Sequence, residues 1–93
     1  MVKVLLEREI KGEHVGEIIR LLRHLRVLAM QQLGYISGET LHAVDNPNYY
    51  LVISTWETLG HWQDWFNNPE RQKLQEKLDS YMEPPTSIRV FTY

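Results

Sequence analysis

The sequence predicts an α+β domain of the ferredoxin-like, split βαβ kind. Four antiparallel strands run in the order βαββαβ, with both helices on one face of the sheet. Three observations carry this reading. Apolar and polar residues alternate at both ends of the chain and on either side of a central turn. A long amphipathic stretch with helical spacing fills the first connection. Two helix-capping signals in succession fill the second.

Val2 to Ile10 alternates as a strand, with Val2, Val4 and Leu6 on one face and Lys3, Leu5 and Glu7 on the other. Gly12 breaks the pattern. From His14 to Leu33, the residues Val15, Ile18, Ile19, Leu22, Leu25, Ala29 and Leu33 recur at helical spacing, and Gly34 stands at a C-cap position. Tyr35 to Val44 reads as the second strand, with Gly38 marking a bulge. Asp45-Asn46-Pro47-Asn48 is a turn, and Tyr49 to Glu57, rich in β-branched and aromatic residues, is the third strand.

Thr58 caps a short helix carrying Leu59, Trp62, Trp65 and Phe66. Asn68 caps a second helix, with Pro69 at its first position, that runs to about Met82. Pro84-Pro85 ends it, and Thr86 to Tyr93 forms the last strand.

Ninety-three residues hold one domain, spanning 1–93. A net charge of −2 argues against nucleic acid as a partner, since phosphate binding needs a cationic excess. With no Cys, thiolate catalysis, zinc–thiolate sites and iron–sulfur clusters are excluded. Charged residues interrupt Met1 to Ile10, and no long apolar run follows. The expectation is therefore a soluble, cytoplasmic protein without a signal peptide or a membrane span.

The sheet is apolar on both sides. Leu51 and Ile53 share one face of the third strand, and Tyr50, Val52 and Trp56 the other; in the last strand Ile88 and Val90 oppose Phe91 and Tyr93. Helices on one side cannot cover both, so a homodimer is expected.

At YLVISTWET followed by HWQDWFNNPERQKL the chain resembles the antibiotic biosynthesis monooxygenase (ABM) family. A strand ending in Trp-Glu leads into a short helix with a further Trp and then a Pro-led helix; a second strand opening on Gly34-Tyr35 is similar as well. The resemblance implies a dimeric α/β barrel with a pocket between helices and sheet in each subunit. Its members include cofactor-free oxygenases of polycyclic aromatics, quinol oxygenases and heme-degrading enzymes. For this chain it implies a monooxygenase that needs no cofactor and acts on a small aromatic or quinol-type substrate. A non-catalytic small-molecule-binding or stress-associated dimer is the alternative, and a heme-binding protein is a third.

Trp56, Trp62, Trp65 and Phe66 can form the walls of a flat apolar pocket, or simply pack the core. Tyr35 is a further candidate to face a ligand. Trp65 matches the family's second Trp. His61, three residues before Asp64, and His24, among Arg20, Arg23 and Arg26, are the candidate catalytic bases, because imidazole exchanges a proton near neutrality. Each is equally at home on a solvated helix face. The three arginines can hold ligand carboxylates or merely meet water. His14 and His42 have no partner at metal-ligand spacing, so no protein-built metal site is expected. The heme-degrading pattern is incomplete. Gln75 stands ten residues after Trp65 where that pattern has His, and the first strand lacks Asn.

Overall fold

A computed structural model describes residues 1–82 and 85–93. Its elements are β1 (Val2–Glu9), α1 (Val15–Met30), β2 (Tyr35–His42), β3 (Tyr49–Trp56), α2 (Leu59–Phe66), α3 (Pro69–Ser80) and β4 (Ser87–Thr92). The strands form one antiparallel sheet in the order β2-β3-β1-β4. This is the ferredoxin-like topology, with the second crossover split into two helices. Pro84, expected to help end the last helix, lies outside the described residues. α3 itself stops at Ser80, with Tyr81 as its C-cap.

Register fixes which side chains meet the helices. Val2 pairs with Trp56 and Thr92, Val4 with Ser54 and Val90, Leu6 with Val52 and Ile88, and Arg8 with Tyr50. Strand alternation puts these residues on one face. There Val2, Val4, Trp56, Trp62 and Trp65 form one buried cluster, while Ile10, Ile18, Leu21, Leu78 and Met82 form another. β1 and β3 are the two central strands, each paired on both sides, and β1 contributes to both clusters through Val2, Val4 and the adjoining Ile10.

The helix ends follow local chemistry. The Thr58 hydroxyl accepts from the His61 amide at 3.1 Å, opening α2. The Asn68 side chain accepts from the amides of Glu70 (2.9 Å) and Arg71 (3.2 Å), with Pro69 pre-set for the first turn of α3. α1 ends earlier than the apolar spacing suggests. It stops at Met30, and Leu33 is 82% exposed in the following turn. Gly34, three residues past the C-cap, has φ +87° and takes the chain into β2. His61 packs directly against it, so that a Cβ at this position would clash with the imidazole ring.

The bulge in β2 falls between Tyr35 and Ser37, one turn of the pleat earlier than Gly38. Gly38 serves another purpose: the Tyr35 hydroxyl occupies the space a side chain there would fill. In the β2–β3 turn the Asn46 carboxamide oxygen accepts from the Asn48 amide at 3.1 Å, and its nitrogen donates to Glu9.

Among the described residues, no helix lies over the opposite sheet face. Leu5, Leu51 and Ile53 form its half-buried centre, with Leu41 and Phe91 exposed beside them. Polar groups are interleaved: Lys3 donates to Thr55 at 3.3 Å, and the Tyr49 hydroxyl donates to Glu7 at 3.0 Å.

Two stability outcomes follow from these joints. Gly34→Ala is expected to cost about 2–4 kcal/mol, the sum of a left-handed backbone and an overpacked His61 contact. Asn68→Ala is expected to cost about 1 kcal/mol through loss of the α3 cap. Urea denaturation of both variants checks the order. Equal losses would show that the Gly34–His61 contact contributes nothing.

Candidate functional site

A cavity of about 390 Å3 lies between α1 and the sheet, closed at one end by α2 and α3. β3 supplies Tyr50, Val52, Ser54 and Trp56, the alternate residues of its helix-facing side. α1 supplies one stripe, Ile19, Leu22, Arg23, Arg26 and Ala29, at the three- and four-residue spacing that keeps side chains on one helix face. The volume falls in the range of small-molecule sites.

The end wall is aromatic. Trp56 is 1% exposed and donates its indole N–H to the Ser54 hydroxyl at 3.1 Å. Tyr35 meets it edge-on at 5.4 Å between ring centroids, and Trp62 does the same at 5.9 Å. Trp65 completes the wall. Trp56, Trp62, Trp65 and Tyr35 therefore converge on one cavity. Phe66 does not join them. It faces the adjoining hollow between α3 and β4 and meets the Trp62 ring at a tilt, 5.8 Å between centroids.

Neither histidine picked out as a base is part of the lining. At about 100° per residue, His24 falls on the side of α1 away from the lining stripe, and it is exposed. His61 lies in the first turn of α2, where its Nδ1 is 2.8 Å from the Thr58 hydroxyl and its ring covers Gly34. Among the described residues, the histidine in the lining is His42, near the end of β2. Its Nδ1 is 2.9 Å from the Pro47 carbonyl. A carbonyl only accepts, so this nitrogen carries a proton, and in the neutral ring Nε2 is the acceptor. The ring rests on Tyr50 at 4.3 Å.

Two buried arginines were not singled out from the sequence. Arg8, on the helix-facing side of β1, is 5% exposed, and its Nε and Nη1 find no hydrogen-bond partner among the described residues. Burial pushes its pKa down to about 10, an effect that Asp79 opposes and Arg71 reinforces. Arg71, from the first turn of α3, is also 5% exposed. It donates to the Phe66 carbonyl at 3.2 Å and lies over the Phe66 ring at 4.7 Å. Burial lowers its pKa too, again against Asp79. A signal for Arg8 was available: a cation continuing the Val2, Val4, Leu6 face of a central strand has no route to water. Arg71 gives no comparable sign, because its burial depends on how α3 folds back.

Arg23 and Arg26 belong to the lining as exposed residues; Arg20 instead pairs with Glu17. Gln75 also contributes to the cavity and donates to Asp79 at 2.9 Å. Among the described residues no group of three or more acidic, His or Cys side chains is placed to hold a metal ion, and no helix is long and apolar enough to cross a membrane.

Comparison with known proteins agrees with this architecture. SchA of Streptomyces halstedii is 24% identical over 88 residues, covering 95% of this chain; the chain spans only 23% of SchA. The structure superimposes on a conserved protein from Methanosarcina mazei Go1 with a TM-score of 0.87 at 18% identity, covering 97% of this chain and 89% of that one. It superimposes on SnoaB, a cofactor-independent oxygenase from Streptomyces nogalater, with a TM-score of 0.84 at 16% identity, covering 99% and 91%. The model of the antibiotic biosynthesis monooxygenase family matches residues 1–77, and the chain belongs to that family.

Proposed function

We propose that this chain is a cofactor-independent monooxygenase acting on a small aromatic or quinol-type molecule held between the helices and the sheet. The observation that carries this reading is the aromatic-walled cavity itself. Tyr35, Trp56, Trp62 and Trp65 converge on a space of about 390 Å3, which suits a planar substrate of two or three rings. Membership of the ABM family and the likeness to SnoaB support the reaction class.

Such chemistry asks the protein for a base, a dry wall and a stabiliser of negative charge. His42 is the base in this reading, through Nε2, since its other nitrogen is committed to Pro47. It removes a phenolic proton, and the electron-rich anion passes one electron to dioxygen. The resulting substrate radical and superoxide combine to form a C–O bond at a ring CH, the carbon that is a CH2 in the keto tautomer, and the protonated His42 returns its proton to the peroxide. Loss of water from that hydroperoxide leaves a carbonyl. One oxygen atom enters the substrate and the other leaves as water, with all four electrons drawn from the reacting carbon. The buried guanidinium of Arg8 supplies positive charge beside the anion.

The uncovered sheet face fits a second copy of the chain, and we place the dimer contact there. Leu5, Leu41, Leu51, Ile53 and Phe91 lie on it without helical cover, and family membership supports the assembly.

Oxygen uptake with a panel of anthrones and naphthalenediols, under metal-chelating conditions, tests the reaction. Substrate turnover with one labelled oxygen atom incorporated per molecule is expected, and His42→Gln is expected to lower kcat by about a hundredfold or more. No uptake across the panel, or unchanged turnover in His42→Gln, would remove the mechanism. The assembly has its own measurement. Wild type is expected to sediment at twice the 11.1 kDa chain mass, and Ile53→Asp at the single mass. A wild-type protein stable at the single mass would refute the dimer.

A further inference from the structure

We infer that the cavity is built for an anionic aromatic: a planar ligand whose ring lies against Trp56, Trp62 and Trp65 and whose carboxylate or ionised enol is drawn to Arg8. This rests on the proposed reading of the cavity as a substrate site and narrows its substrate class.

The charge distribution is the first observation. The chain as a whole is acidic, at −2. The cavity lining is the reverse: Arg8, Arg23, Arg26 and Arg71 contribute to it against a single carboxylate, Glu39. Glu39 pairs with Ile53, so the register of β2 turns its side chain toward the other sheet face. Four arginines thus contribute to the cavity lining, with no acidic side chain turned toward them from the lining strands.

The second observation is the state of Arg8. A buried cation is normally paired, because desolvation without compensation is among the costlier things a fold can carry. Asp79 is close enough to act on the charge of Arg8, but no ion pair joins them, and the Asp79 carboxylate accepts from Gln75 instead. Arg8 Nε and Nη1 have no partner among the described residues. Arg71 cannot relieve this, being a cation itself. Arg8 also contributes to the wall of the cavity, so a cation with unused donors stands beside a planar acid held there. Nε and Nη1 themselves are closed to water, so the attraction to the acid acts through the guanidinium charge across a dry wall. Arg23 and Arg26, exposed on the α1 stripe, add positive potential at the entrance.

Matched probes test this directly by calorimetry. 2-Naphthoate is compared with neutral 2-naphthamide, and ionised 2-hydroxy-1,4-naphthoquinone with 1,4-naphthoquinone. Wild type is expected to bind each anion about ten- to a hundredfold more tightly than its neutral analogue. The pair showing the larger preference tells carboxylate from enolate. Arg8→Met is expected to cut the preference to the severalfold part that Arg23 and Arg26 supply. Without ligand it is also expected to melt about 4–8 °C higher, because an unpaired buried charge has gone.

Arg23→Ser with Arg26→Ser touches only exposed positions. It is expected to lower anion affinity severalfold and to flatten its salt dependence, and it serves if Arg8→Met does not fold. Equal wild-type affinity for charged and neutral probes overturns the proposal, as does a preference that survives both sets of substitutions. Tight, Arg8-dependent anion binding without oxygen consumption upholds this site and defeats the oxygenase reading. Turnover of neutral quinols with no preference for anions does the opposite.

Discussion

Trp56 is where the sheet, the helices and the cavity are tied together. It ends β3, pairs across the sheet with Val2 and with Tyr35, and packs edge-on against both Tyr35 and Trp62. Its own N–H is spent on Ser54, two residues back along the same strand face, so the ring is held by its polar edge as well as by its faces. The Glu57 amide then donates to the Gly34 carbonyl at 2.7 Å, and Thr58 opens α2. Strand end, helix start and the α1–β2 turn therefore share a few residues. The cavity stays open because this joint positions α2 at the end of the groove rather than letting α1 settle onto the strands along its whole length.

A small domain with an unfilled interior has to find its stability elsewhere. Here the two buried clusters sit at the two ends of the cavity. One is built on Val2, Val4 and the tryptophans, the other on Ile10, Ile18, Leu21, Leu78 and Met82. Between them lies Arg8, whose unpaired charge opposes folding. That cost is tolerable in a domain whose bare sheet face still has apolar area to bury.

Much of the fold could be read from the sequence because its signals are local. Strand alternation, the Thr58 and Asn68 caps and the Asn46–Asn48 turn each depend on a few neighbouring residues. The misplacements have equally local causes. Leu33 continues the helical spacing of α1 but follows residues already in a turn, so periodicity alone overran the helix end. The bulge sits at Ile36 rather than Gly38, because Gly38 was needed to make room for the Tyr35 hydroxyl, a contact between side chain and backbone that no local pattern announces. For the cavity, the tryptophans were visible as aromatic residues at helical spacing. His42 was not, because its place depends on the pairing of β2 with β3 and its tautomer on a carbonyl five residues away. His61 and His24 drew attention by their sequence neighbours, which say little about which way a helical side chain points.

The α1 stripe mixes two kinds of residue with different freedom to change. Ile19, Leu22 and Ala29 pack toward the buried clusters as well as the cavity, whereas Arg23 and Arg26 keep their heads in solvent. Substituting the first set disturbs the core; substituting the second leaves it intact. The mouth of the groove can therefore change in shape and charge with little penalty to folding, whereas a change at the aromatic end reaches the core.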